Sequence, residues 1–227
     1  MTPLVASAAE GALQLSVDGG GSAAVKLFLL LTALSFATAI LISITSFTRI
    51  VIVLSFLRQA LGTPQLPPNQ VVVALALALS AFVMAPTATR VWSDGLEPYL
   101  DDRVDAATAF DRAAVPVREF LLRQTRESDL RLFYDVSGAE RPTVGEAIPL
   151  SVAVPAFMVS ELTTAFRMGL FLFVPLLLVD LIVAAVLMSL GMMMVPPSLI
   201  SLPVKLGIFL LADGWHLVVA SLVRSFS

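Results

Sequence analysis

Cysteine is absent from the 227 residues, histidine occurs once, and only two of the fourteen basic residues are lysines. Without cysteine there is no disulfide, thiolate metal site or thiol nucleophile. His216 alone supplies neither a zinc site nor a Ser-His-Asp triad. No phosphate loop or metal-ligand spacing occurs either, so no cofactor is expected and an enzyme is not. Charge is scarce too. Charged residues make up 14% of the chain and the net charge is −3, which leaves no clustered basic surface for nucleic acid. Hydrophobic residues make up 58%, well above the 45–50% or so of soluble domains. With a mean hydropathy of +0.92, the composition is that of a membrane protein.

The few charges are gathered in one place. Between Asp94 and Glu146 lie 19 of the 31 charged residues, twelve acidic and seven basic. The chain therefore divides into a flexible segment over 1–25, apolar helices over 26–90, a polar and mainly helical segment over 91–146, and apolar helical hairpins over 147–227. The first 25 residues hold no Lys or Arg and include Asp18-Gly19-Gly20-Gly21-Ser22, so the positive start of a secretory signal is not met.

Leu27 to Thr48 are 22 uncharged residues bracketed by Lys26 and Arg49, roughly 33 Å as one helix and enough to span. Thr32, Ser35 and Thr38 share a face, which suits either helix packing or hydrogen bonds to the helix's own backbone. Pro64, Pro67 and Pro68 break the next apolar run. Asn69 is placed to cap a helix over about 70–85. In the polar segment, Ala106 to Tyr134 reads as an amphipathic helix pair or one long helix, with Phe110, Ala114, Val117 and Leu121 at helical spacing.

Charges recur inside the C-terminal apolar half: Glu161, Arg167, Asp180, Lys205 and Asp213. A charge at mid-bilayer costs at least about 2.5–3.5 kcal/mol, so these groups are expected to be buried and partnered. Three readings compete: structural ion pairs, a proton or ion relay, and charges lying outside the hydrocarbon layer; ion pairs rank ahead of a relay, because His216 is the only group with a near-neutral reference pKa. Gly191 and the Pro196-Pro197 pair put Met192, Met193 and Met194 in a turn. Three flexible, polarizable side chains there suit a soft seal around cargo if several copies surround an axis; in one chain they suit gap filling.

Three blocks carry a family resemblance. Thr45-Ser46-Phe47-Thr48-Arg49 runs on through Leu57-Arg58-Gln59-Ala60-Leu61-Gly62-Thr63-Pro64 to Pro67-Pro68-Asn69-Gln70. Pro155-Ala156-Phe157-Met158-Val159-Ser160-Glu161-Leu162 continues through Ala165-Phe166-Arg167-Met168-Gly169. The methionine turn leads to Pro203-Val204-Lys205 and Asp213-Gly214-Trp215. Together they resemble the FliP family, called SctR in injectisomes, of type III secretion export-gate proteins. The segment Arg118 to Glu127 is more similar to its flagellar branch, and Gly207 departs from the bulky apolar residue usual in the last motif.

The resemblance implies an all-α, integral membrane-type fold of helical hairpins whose copies form a ring of five. It implies FliQ and FliR as partners in a conduit for unfolded flagellar subunits, with FlhB and FlhA beside them, in the inner membrane at the flagellar basal body. It implies that Met192, Met193 and Met194 seal the pore. On the same resemblance, Glu161 and Lys205 are expected to pair across the subunit boundary, and Phe120 and Phe133 to make subunit contacts. The polar segment is placed on the periplasmic side, although counting its arginines by the positive-inside rule places it in the cytoplasm. The rival from another class is a proton-coupled channel or transporter using Asp180, Asp213 and Glu161.

Overall fold

A computed structural model describes residues 22–63, 65–138, 148–192 and 194–226. Among them every regular element is helical: α1 (Ser22–Ile44), α2 (Phe47–Ala60), α3 (Asn69–Val91), a π-helical turn (Trp92–Leu96), α4 (Glu97–Leu100), α5 (Ala106–Gln124), α6 (Glu127–Ser137), α7 (Leu150–Ser189), α8 (Ser198–Leu211) and α9 (Gly214–Arg224). Three stretches are long and apolar enough to cross a membrane: Val25–Ile44, Asn69–Leu100 and Leu150–Ser189. The pair α8 and α9, bent by 65°, makes a fourth if it counts as one span. This is an all-α protein of the membrane type.

The chain separates into Met1–Leu41 and Ile42–Ser227. In the first unit, the hydroxyl stripe of α1 turns inward on its own helix. Ser35 Oγ donates to the Leu31 carbonyl at 2.8 Å and Thr38 Oγ1 to that of Ser35 at 3.1 Å. Ser35 and Thr38 thus bond the backbone of their own helix. The reading of 1–25 as flexible falls largely outside the described residues.

In the second unit, α2 does not continue α1. The helix expected to run to Thr48 stops at Ile44, where Thr48 Oγ1 takes the Ile42 carbonyl and Ser46 turns inward to meet Ser80 Oγ at 3.1 Å. Side-chain oxygens that compete for backbone groups favour such breaks. From there α2 runs parallel to α7, with Arg49 beside Glu161 and Phe56 beside Gly169. A Cβ on Gly169 would stand 2.6 Å from Phe56 Cδ2, so only glycine lets the helices approach this closely. Ile50, Val53, Leu57, Val72, Ala76, Ala165, Leu176 and Leu222 form the core that α2, α3, α7 and α9 share.

The helix expected to end near Ala85 runs through Pro86 to Val91 and on, by the π turn, to Leu100. Asn69 is its first residue rather than its cap. Proline withholds one N–H, but an apolar helix with hydroxyls nearby tolerates the break, and Thr89 Oγ1 donates to the Ala85 carbonyl at 3.0 Å. The polar segment is a helix pair, α5 and α6, broken at Thr125-Arg126. Its buried stripe begins at Ala109 rather than Phe110, which is 68% exposed. Gly95 explains the substitution: a Cβ there would lie 2.7 Å from Ala113 Cβ and 2.9 Å from the Ala109 carbonyl, an approach that a phenylalanine on that face would prevent.

Candidate functional site

Leu190 ends α7, and Gly191 follows at φ +75°, the left-handed region that favours glycine. The Gly191 N–H bonds the Met188 carbonyl at 3.1 Å and the Met192 N–H that of Leu187 at 3.0 Å. These two bonds make a Schellman cap, which satisfies carbonyls the helix end leaves orphaned. Met192 is half-exposed and Met194 is 97% exposed; Met193 lies outside the described residues. Nothing approaches within 4 Å of a Cβ built on Gly191. The described methionines therefore stand out from the fold instead of filling a gap inside it.

The charges tell a different story. Arg49 is 2% exposed and Glu161 is fully buried. Arg49 Nε donates to Glu161 Oε2 at 2.9 Å and Nη2 to Oε1, a bidentate pair. The remaining protons are taken as well: Nη1 donates to the Ser225 carbonyl (2.8 Å) and Oγ (3.0 Å), and Nη2 to Gln124 Oε1 (3.3 Å). All five guanidinium N–H groups are thus used. The Phe226 ring lies 3.9 Å from Cζ, and Gln124 Nε2 donates to the Phe226 carbonyl. One arginine joins α2, α5, α7 and the segment after α9. One residue before Glu161, Ser160 accepts the Arg126 N–H at 3.0 Å and donates to Asp129 Oδ2 at 2.5 Å, which docks α6 on α7.

Lys205, on α8, is also buried, but its partner is not. Nζ donates to Asp180 Oδ2 at 2.6 Å and to the Ala60 carbonyl at 3.0 Å. The latter is an orphan acceptor at the C-terminus of α2, where the helix dipole favours a cation. Asp180 keeps 42% of its side chain exposed and lines a cavity of about 200 Å³ whose walls mix Ser198, Ser201 and Gln59 with Leu61, Phe173 and Leu202.

The expected Glu161–Lys205 pair is therefore corrected: each has another partner in its own chain. The reason is enclosure: Glu161 is fully buried with both oxygens taken by Arg49, and within one chain it stands roughly 28 Å along α7 from the Asp180 that holds Lys205. Arg167 and Asp213, expected to be buried, are exposed. Ala165 and Gly169 take the face of α7 that meets α2, which turns Arg167 outward. Asp213 occupies the α8–α9 turn at φ +50°, with His216 Nδ1 3.8 Å away. Phe120, expected at a subunit boundary, is 3% exposed and packs on Phe157 at 5.8 Å between ring centroids. The core of its own chain consumes it; Phe133 remains half-exposed.

Arg49 and Gln124 had no role assigned from sequence. The available signal was a single arginine between two apolar runs with no acid nearby in the chain. In the polar segment, Arg90 Nη1 donates to Glu119 Oε2 at 2.5 Å. That hydrogen bond and charge hold the Glu119 carboxyl below the ordinary carboxylate range.

Residues 30–222 match the model of the FliP family. The chain is 49% identical to the flagellar biosynthetic protein FliP of Pectobacterium carotovorum subsp. carotovorum, over 100% of this chain and 89% of that one. It is 50% identical to that of Bacillus subtilis (strain 168), over 90% and 93%. To the FliP of Caulobacter vibrioides it is 48% identical over 97% and 84%.

Proposed function

This chain belongs to the FliP family, as a membrane component of the flagellar export apparatus, and we propose that it is a core subunit of the export gate itself. Five copies, with FliQ and FliR, enclose the conduit through which unfolded flagellar subunits leave the cell, in the inner membrane and next to FlhB and FlhA. Met192, Met193 and Met194 ring the bore and close it around cargo, and the polar segment lies on the periplasmic side.

One observation carries this reading: Met194 stands at the tip of the α7–α8 turn, 97% exposed, on a rigidly capped helix end. Methionine adapts its shape to varied surfaces, so such tips meeting at an axis give a compliant seal. The carboxylates of the transporter reading are scattered: Glu161 is saturated by Arg49, Asp180 is held by Lys205, and Asp213 is exposed in a turn.

The test is a deletion strain complemented with a chain carrying a photo-crosslinker at position 194, with an export substrate stalled in transit. Hook and rod protein secretion should depend on the chain. Crosslinks to the substrate should form from position 194 and not from the exposed position 136 on α6. Unchanged secretion in the deletion strain defeats the export role. Dependence without a crosslink at 194 replaces the conduit with a scaffold.

A further inference from the structure

Beyond the export role, an apolar cavity of about 230 Å³ opens where α2 ends and α3 begins. Leu54, Leu57, Leu61, Val71 and Leu75 line it, and Trp215 of α9 stands at its edge. Among these apolar walls lies one charged group, Arg58. Its Nε is buried without a hydrogen-bond partner, and Nη1 makes a single long bond, 3.4 Å, to the Pro67 carbonyl. Among the described residues no carboxylate pairs with it. Arg49, nine residues earlier on the same helix, shows by contrast what a satisfied arginine looks like in this fold.

The cavity sits at a particular height. Val71 and Leu75 belong to the first two turns of the candidate span Asn69–Leu100, so the cavity and Arg58 lie at one end of that span. Leu54 is about one turn deeper than Arg58 along α2, on the hydrocarbon side. An arginine at the rim, a half-exposed tryptophan beside it and an apolar slot below match the order of groups in a phospholipid: phosphate, interfacial ester region, acyl chain. An apolar side chain from a neighbouring protein would fill the slot but bring no acceptor for the guanidinium.

We propose that this cavity binds an anionic phospholipid, with the phosphate on the Arg58 guanidinium and the upper part of one acyl chain between α2 and α3. The lipid supplies the acceptor that Arg58 lacks and bridges α2 to α3. The free guanidinium N–H groups suit the phosphate as a bidentate acceptor.

Trp215 reports occupancy directly, because the chain has only two tryptophans. The full chain carrying Trp92→Phe is reconstituted in phosphatidylcholine vesicles containing brominated phosphatidylglycerol or, separately, brominated phosphatidylcholine. Trp215 quenching should favour the anionic lipid by about fivefold, as one basic group near the surface provides. Arg58→Gln should bring that ratio close to one, and Arg58→Lys should keep most of it. Val71→Phe, which narrows the slot and retains the charge, should reduce quenching by both lipids. Equal quenching by the two lipids in the unaltered site, or a preference that survives Arg58→Gln in protein of normal helicity, overturns the proposal. Absence of quenching by either lipid also overturns it and assigns the cavity to a second copy or another protein.

Discussion

Two buried cations tie α2 to its neighbours, and their sites are built on opposite plans. At the start of the helix Arg49 is enclosed, with every N–H used and its carboxylate fully buried. At the other end Lys205 reaches a carboxylate that is 42% exposed and borders a cavity of mixed walls. The first arrangement cannot shift without uncovering a charge. In the second only the lysine is enclosed, and its carboxylate stays half-exposed. The difference separates a closed anchor from a half-open one. It also puts the half-open one nearer the methionine turn, since Asp180 is closer to the end of α7 than Glu161 is.

Breaking the anchor should have the largest effect. Glu161→Ala strands Arg49 and should cost about 3–5 kcal/mol, read as loss of the chain from membranes and loss of motility. Arg49→Lys should fail nearly as badly, because an ammonium cannot reproduce the bidentate fork or reach Gln124 and Ser225 together. Retention of normal protein levels by both variants would mean that the cluster holds nothing together. Lys205→Met should cost less, about 1–3 kcal/mol, since it frees a half-exposed carboxylate and one helix-end carbonyl. If thermal unfolding in detergent ranks it equal to Glu161→Ala, the contrast between the two sites disappears.

The close approach of α2 and α7 can be tested between these limits. Gly169→Ala forces a methyl group against Phe56 and should destabilise by about 1–3 kcal/mol, with partial recovery when combined with Phe56→Leu. At the far end of the scale, Met194→Ala removes an exposed side chain and should leave the melting temperature unchanged while altering export. The smallest effect concerns acid. The folded Glu119 carboxyl titrates below its unfolded value, so its pairing with Arg90 stabilises the fold above roughly pH 4.3 and ceases to as pH falls through the folded pKa. Glu119→Gln should flatten that part of the acid melting curve by removing the small contribution present at neutral pH, so that the variant and the parent converge in acid.

What the sequence disclosed follows from the range of each interaction. The helical segments, the polar middle and the glycine-capped methionine turn rest on local rules, and Gly191, Pro196 and Pro197 declare that turn without tertiary help. Pairing rests on register between distant helices. Glu161 was recognisable as a charge needing a partner, but the choice of Arg49 over Lys205 depends on α2 running parallel to α7, and nothing local encodes that. Phe120 illustrates the same gap: an amphipathic pattern identifies an apolar face but not whether its own chain or a neighbour covers it. Arg167 and Asp213 show that a charge in an apolar run can lie on a helix's outer face or in a turn of its own chain, a placement the local pattern does not encode.

The Arg49 cluster also carries a clock. Its acceptors are made in sequence: Gln124, then Glu161, and only 176 residues after the arginine, Ser225. At bacterial synthesis rates of 5–20 residues per second, that last interval is roughly 9–35 s. For that time the newly made arginine has no completed site to enter. It must stay at the membrane surface or be sheltered by a headgroup, and α2 cannot settle against α7 until most of the protein has emerged. The fold is closed from its end backwards, so a truncated product is left with an open, charged seam by which it differs from a finished subunit.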